Sequence, residues 1–322
     1  MPHQHLNRVL VTGASGTLGY NIVRHLGAKY PGVRLHIWLR NPDPALFSDL
    51  PNAIVEQVDL LHTAKVSEGI GALRPDAIIH CAASGVRPLS IDYFDLIELN
   101  TSATLHLFQA SCGLDRCHFI NISTGLVYGH QSRPCREDDP VNTLHPYGAT
   151  KAAADCMLRA GAERLRRHLT IMRPFSFTGL HDGGNRLFPS LLRAAMERRP
   201  FEMSLGTQIR DFCAVQDVVD AICLVLEEGE QPSQDIFNVG SGLSISLGRL
   251  VHTVCRQLSL DVELRLGALP FHPLEPAHIV ADISRMQSLG WRPRTNLAYA
   301  VWQLAQSQFP HLTVTRPAEL RG

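Results

Sequence analysis

The sequence predicts a doubly wound α/β fold, a parallel sheet covered on both faces by helices, followed by a smaller, partly interleaved C-terminal domain. Three observations predict it. Short, nearly continuous apolar runs alternate with helical patterns through the first half, as strands buried on both faces require. The first of these runs leads directly into a glycine-rich turn. A chain of 322 residues, 45% of them hydrophobic, can also bury a large core without staples.

The elements follow in order. Residues 8–13 (RVLVTG) read as a buried strand ending in a turn, and 18–30 carry apolar residues at helical spacing. Residues 33–39 and 53–60 read as the second and third strands, 64–73 as a helix and 77–83 as the fourth strand. One long helix is expected over 93–112, then a fifth strand over 118–124. A helix runs from Tyr147 to about Arg167, with a sixth strand over 169–175. The pattern then loosens: 176–206 holds Gly, His and Pro before a helix, 211–228 returns to strand then helix, and 236–242 is a further strand and turn. Right-handed crossovers wind such strands doubly. The expected domains are 1–174, with 207–238 returning to it, and 175–322.

Thirty Lys and Arg balance thirty Asp and Glu, which excludes binding to nucleic acid or membrane through a large basic surface. No run of 18 apolar residues suggests a spanning helix, and the N-terminus does not read as a signal peptide. Eight cysteines form no C-x-x-C pair, so reduced thiols and a cytoplasmic protein are expected. Cys112 and Cys117 lie near His118, but no second ligand pair follows, and no metal is expected.

The first strand runs into Gly13-Ala14-Ser15-Gly16-Thr17-Leu18-Gly19. Glycines between a strand and a helix let backbone approach a pyrophosphate, and the helix start offers free N–H groups and a positive dipole end. Residues 13 and 15–19 are therefore candidate dinucleotide contacts. At the end of the second strand, where an acidic residue would hold the ribose hydroxyls of NAD, stands Arg40. A guanidinium suits a 2′-phosphate, so NADP is expected, with NAD as the alternative. Asp59 and Leu60, after the third strand, are placed beside the adenine.

Tyr147 and Lys151 are four apart, on one face of a helix. A nearby ammonium is expected to lower the phenol and fit it for general acid or base work. The fifth strand delivers Ser123-Thr124 to the carboxyl end of the sheet, where ligands of such folds bind.

With these motifs the chain resembles the extended short-chain dehydrogenase/reductases of the NAD-dependent epimerase/dehydratase family, which act on nucleotide sugars. The resemblance spans nearly the whole chain and rests on TGASGTLG (12–19), HCAA (80–83), Asn100, ISTGLVYG (122–129), PYGATK (146–151), RPF (173–175), QIRDFCAVQDVVDA (208–221), FNVGSG (237–242) and ADISRMQSLGWRP (281–293). It implies a Rossmann domain followed by a nucleotide-sugar-binding domain. It makes Thr124 the catalytic hydroxyl rather than Ser123, Tyr147 the proton donor or acceptor, and Lys151 its partner and a ligand of the nicotinamide ribose. It places Ala82 and Ala83 on the cofactor crevice and gives Asn100 and Asp217 structural roles. Arg210 is assigned the substrate pyrophosphate, and Arg186 and Leu187 the nucleotide phosphates. Ser176 stands where many relatives carry Asn, and Ser84, in the segment Ser84-Gly85-Val86-Arg87, faces the hexose.

Nucleotide-sugar dehydratases follow this Thr with an Asp-Glu pair. Gly125-Leu126 stands here, and neither exchanges protons. Two reactions remain. One is NADPH-dependent reduction of a nucleotide-linked 4-keto-6-deoxyhexose, favoured by Arg40 and by the likeness of 187–212 to deoxysugar reductases. The other is 4-epimerisation with tightly bound NAD. A dinucleotide-binding sensor without turnover is a third reading, against which the intact Thr/Tyr/Lys set speaks. The resemblance also implies a homodimer through helices like 93–112 and 148–166.

Overall fold

A computed structural model describes residues 6–43, 45–85, 92–227, 234–271 and 274–320. Val86 and Arg87, expected near the substrate, lie outside these residues, as do 228–233 of the expected return segment. The chain order is β1 (Arg8–Thr12), α1 (Thr17–Lys29), β2 (Arg34–Leu39), β3 (Ala53–Gln57), α2 (Thr63–Leu73), β4 (Ala77–His80), α3 (Tyr93–Ile97), a π-helical turn (Glu98–Ala103), α4 (Thr104–Ser111) and β5 (His118–Ile122). There follow α5 (Pro146–Leu165), β6 (Leu169–Pro174), β7 (Ser176–Thr178), α6 (Leu187–Met196), β8 (Phe201–Met203), β9 (Ile209–Arg210), β10 (Phe212–Ala214), α7 (Val215–Glu227) and β11 (Gln234–Val239). The chain closes with β12 (Ile245–Ser246), α8 (Leu247–Leu258), β13 (Leu264–Leu266), β14 (His278–Ile279), α9 (Ser284–Ser288) and α10 (Leu297–Gln308).

Seven parallel strands form the central sheet in the order β3-β2-β1-β4-β5-β6-β11, a Rossmann-type fold. Strand order reverses between β1 and β4, which opens a crevice at their carboxyl ends. The inner strands β1, β4, β5 and β6 are buried along nearly their whole length because both faces are covered, whereas β3 at the edge is partly exposed. Val9, Val11, Ile37 and Ile79 pack on the side of α1 and α7, whereas Leu10, Trp38, Ile78 and Phe119 pack toward α2, α4 and α5. Alternate residues thus enter opposite cores, and each fully buried aliphatic side chain contributes about 1.5–3 kcal/mol.

A third core joins α6, α8 and α10 through Leu191, Val251, Val254, Val301 and Leu304. Small sheets (β10-β7, β12-β9-β14 and β13-β8) connect this layer to the main sheet. None of the helices among the described residues is long and apolar enough to cross a membrane.

The helix expected over 93–112 is interrupted by the π turn. Its cause is Asn100, buried completely, whose Oδ1 accepts from the Ser84 amide at 2.9 Å and whose Nδ2 lies 2.9 Å from Ser84 O and 3.1 Å from Thr150 Oγ1. One extra residue in the turn aims that amide inward, a common use of a π bulge. The third strand ends at Gln57, before Asp59-Leu60, because Asp59 Oδ1 takes the Leu61 amide at 3.0 Å and turns the chain.

Candidate active site

The glycine turn sits where β1 meets α1. Gly13 has φ +70°, and a Cβ on it would lie 2.5 Å from the Ala82 nitrogen just beyond β4. A Cβ on Gly19 would lie 2.5 Å from Gly13 O. These two glycines are demanded by the protein's own packing. Gly16 is different: the nearest atom to its Cβ position is Gly13 O at 3.4 Å. Gly16 is the N-cap of α1, and its own amide donates to Gly13 O at 3.1 Å. The turn therefore offers free amides and bare backbone, the requirements of a phosphate cradle.

Opposite it, α5 starts with Pro146, whose fixed φ suits a first helical position. Tyr147 and Lys151 are 8% and 0% exposed. Lys151 Nζ is buried without a hydrogen-bond partner among the described residues. Burial pushes its pKa below the ordinary lysine value, while Asp155 and Cys81 hold it up. An enclosed ammonium with unused donors fits the hydroxyls of a cofactor ribose. Burial also pushes the Tyr147 phenol above its ordinary value, opposed by the Arg186 guanidinium. The expectation that Lys151 lowers this phenol does not hold in the ligand-free chain, because loss of water outweighs every nearby charge.

Thr124 caps the short turn Gly125–Tyr128, accepting from the Leu126 amide at 3.2 Å. Ser123 is engaged elsewhere: its hydroxyl donates to Asp155 Oδ2 at 2.7 Å. Asp155 also takes Asn121 Nδ2 and Arg173 Nε, each at 3.2 Å, and Arg173 reaches Tyr128 Oη at 2.9 Å. Asp155 stands one turn beyond Lys151, outside the motifs read from the sequence. A second relay ties the carboxyl end of β1 to that of β4: Thr12 Oγ1 lies 2.7 Å from His80 Nδ1, and His80 Nε2 lies 2.9 Å from Thr104 Oγ1. Burial pushes His80 down to about 3, so the ring is neutral at pH 7.

Of the remaining candidates, Ala82 is half-buried and Ala83 exposed at the crevice. Leu60 is buried, and Arg40 is exposed at the end of β2. Ser84 is clamped through both backbone groups by Asn100. Ser176 opens β7 opposite Phe212, and Leu187 is the first residue of α6. Arg210, 5% exposed, lies with Nη2 2.6 Å from Glu275 Oε1, and the adjacent Asp211 binds the amides of Ser241, Gly242 and Ala281. Asp217 accepts from Thr295 and holds the chain before α10. Arg186 is placed against the glycine turn: Nη1 lies 3.3 Å from Thr17 Oγ1 and 2.8 Å from Asp182 Oδ1. Sequence reasoning missed Asp182, Asp155 and Glu275, which lie outside any short motif.

Comparison with known proteins agrees with this geometry. UDP-glucose 4-epimerase of Azospirillum brasilense is 30% identical over 312 residues, covering 89% of this chain and 87% of its own. dTDP-D-glucose 4,6-dehydratase of Mus musculus is 25% identical over 309 residues, covering 91% and 86%. The solved structure of MoeE5 in complex with UDP-glucuronic acid and NAD superposes with a TM-score of 0.84 at 27% identity, covering 95% of this chain and all of that one. The model of the NAD dependent epimerase/dehydratase family matches residues 9–240, from β1 through the last strand of the sheet. By that match, and by the crevice its residues build, the chain belongs to the NAD dependent epimerase/dehydratase family of enzymes.

Proposed function

We propose that the protein is a nucleotide-sugar 4-epimerase working with resident NAD. The observation that carries this reading is the environment of Gly125. A Cβ there would stand 2.9 Å from the Phe175 ring, so the first acid of a dehydratase pair could enter only if that ring moved. The proton-transfer equipment after Thr124 is then limited to Tyr147, Thr124 and Lys151, enough for oxidation and reduction at one carbon but not for elimination of water. The UDP-sugars and NAD bound by MoeE5, and the epimerase relative at 30% identity, support the same assignment.

The glycine turn and Lys151 fit the cofactor by the bare backbone at Gly16 and the partnerless ammonium. NAD held there would supply reversible hydride transfer at the sugar C4, with return to the opposite face inverting that carbon. Tyr147 Oη accepts the proton of the sugar 4-hydroxyl and returns it. Thr124 Oγ1 orients the same oxygen. Lys151, one helical turn along, brings a positive charge to the same face and donates to the cofactor ribose hydroxyls. Arg210 binds the substrate pyrophosphate after leaving Glu275, and Arg186, Leu187, Ser176 and Ser84 complete the substrate side.

A second reading, reduction of a nucleotide-linked 4-keto-6-deoxyhexose by NADPH, is favoured by Arg40, whose guanidinium suits a 2′-phosphate, and by the likeness of 187–212 to deoxysugar reductases. Exposed Tyr93, Phe94 and Ile97 on α3 and Met157 on α5 support a homodimer. All eight cysteines are free, in keeping with a reducing compartment.

The test is incubation of the purified protein with UDP-glucose, UDP-glucuronic acid and UDP-N-acetylglucosamine. The expected result is a C4 epimer detected by NMR without added cofactor. No epimer from any of them, with stoichiometric NADPH oxidation on a nucleotide-4-keto-6-deoxyhexose, would establish the reductase instead.

A further inference from the structure

The segment Gly179–Arg186 crosses from the end of β7 to the start of α6, and Leu180, His181, Asp182 and Arg186 touch the glycine turn or the first turn of α1. The His181 ring stacks on Tyr20 with centroids 4.1 Å apart, and its Nε2 lies 3.2 Å from Ser15 O. Asn21 Nδ2 donates to Leu180 O at 2.7 Å. The Thr17 hydroxyl lies 3.3 Å from both His181 O and Asp182 Oδ1, and it accepts from Arg186 Nη1. Asp182 is the pin of this arrangement. It is 1% exposed, takes Thr178 Oγ1 at 2.7 Å and the Arg186 guanidinium at 2.8 Å, and its carbonyl holds Gln308 Nε2 of α10 at 2.7 Å.

These contacts join the two lips of the crevice. Ser15, Thr17, Tyr20 and Asn21 belong to the β1–α1 lip, and Thr178 to the extension of β6 on the other side of the strand reversal. A dinucleotide in such a fold lies across that reversal with its pyrophosphate on the turn. The segment is held in place at some conformational cost. His181 adopts φ +62°, a left-handed conformation costing about 1–2 kcal/mol for a residue other than glycine. Strain of this kind persists only where surrounding contacts fix it.

We propose that residues 179–186 form a clasp that retains the dinucleotide through turnover, with His181 and Asp182 holding it shut and Arg186 bracing it against Thr17. The clasp rests on the reading of the crevice as a dinucleotide site and deepens it. A cofactor that must take back its own hydride cannot leave between half-reactions, so slow release is what an epimerase requires. Arg186 ties the clasp together: its guanidinium neutralises Asp182 and donates to the Thr17 hydroxyl of the glycine turn. None of the contacts that close the clasp involves Thr124, Tyr147 or Lys151.

The experiment loads the purified full chain with NADH and measures its release by loss of nucleotide fluorescence on mixing with excess NAD. His181→Gly removes the stacked ring and tolerates the left-handed backbone, so the fold is preserved. Asp182→Asn keeps the shape and removes the charge. The expected result is NADH release about tenfold faster or more in both variants, and less NAD retained through purification, with circular dichroism unchanged. Equal release rates in the wild type and both variants would overturn the clasp and leave the epimerase reading standing. Failure of the wild type to bind either NADH or NADPH would overturn both.

Discussion

Lys151 carries the sharpest consequence at the scale of single residues. A buried ammonium without a hydrogen-bond partner destabilises the ligand-free protein, since an unpaired charge loses its water. Lys151→Met should therefore raise the melting temperature of the ligand-free chain by a few degrees while weakening NADH binding at least about tenfold. Scanning fluorimetry and NADH titration check the two signs together; a lowered melting temperature would show the ammonium to be satisfied. Tyr147→Phe should reduce turnover by about 10³-fold with cofactor binding intact, measured by epimer formation and by NADH fluorescence. His80 sets a pH dependence. Its folded pKa, about 3, lies below the unfolded value near 6.5, so its contribution is complete above pH 6.5 and is lost as pH falls toward 3. From this residue alone, stability at pH 5 should be about 2 kcal/mol below that at pH 7, read from urea unfolding at both. His80→Asn should flatten that slope.

Among the elements, those with a strong period were legible and those built by single side chains were not. The mostly apolar runs at 8–13, 77–83, 118–124 and 169–175 announced β1, β4, β5 and β6, because burial on both faces leaves few polar positions to break the pattern. The π turn escaped detection: one inward amide, Asn100, breaks the helix, and nothing in the spacing of its neighbours signals it. The two-residue strands β9, β12 and β14 are too short for any periodicity. In the site, Tyr147, Lys151, Thr124 and the glycines form compact motifs, whereas Asp182 meets Thr17 and Asp155 meets Arg173 only through the tertiary fold. Asn100→Ala should destabilise the protein by about 2–3 kcal/mol in chemical denaturation, because it leaves the buried backbone groups of Ser84 unpaired. A change below about 0.5 kcal/mol would mean that water replaces the amide.

On the scale of the whole molecule, the apolar side chains left on α3 and α5 have a measurable consequence. Tyr93 and Phe94 are 66% and 79% exposed, and Met157 is 56% exposed. Light scattering should give twice the 35.6 kDa chain mass, and Phe94→Glu should shift it toward the monomer. A monomeric wild type would assign those faces another role.

The seventh strand has a consequence for biosynthesis. β11 completes the sheet by pairing with β6 along six residues, yet Gln234 follows Pro174 by 60 positions (234 − 174). At a translation rate of about 5–20 residues per second, β6 emerges from the ribosome roughly 3–12 s before its outer partner. During that interval the nascent chain carries an apolar strand with one row of amides and carbonyls unclaimed, the kind of edge on which neighbouring chains nucleate aggregation. Yield in a heterologous host should therefore depend on how quickly the ribosome traverses residues 175–239 and on the chaperones that wait there.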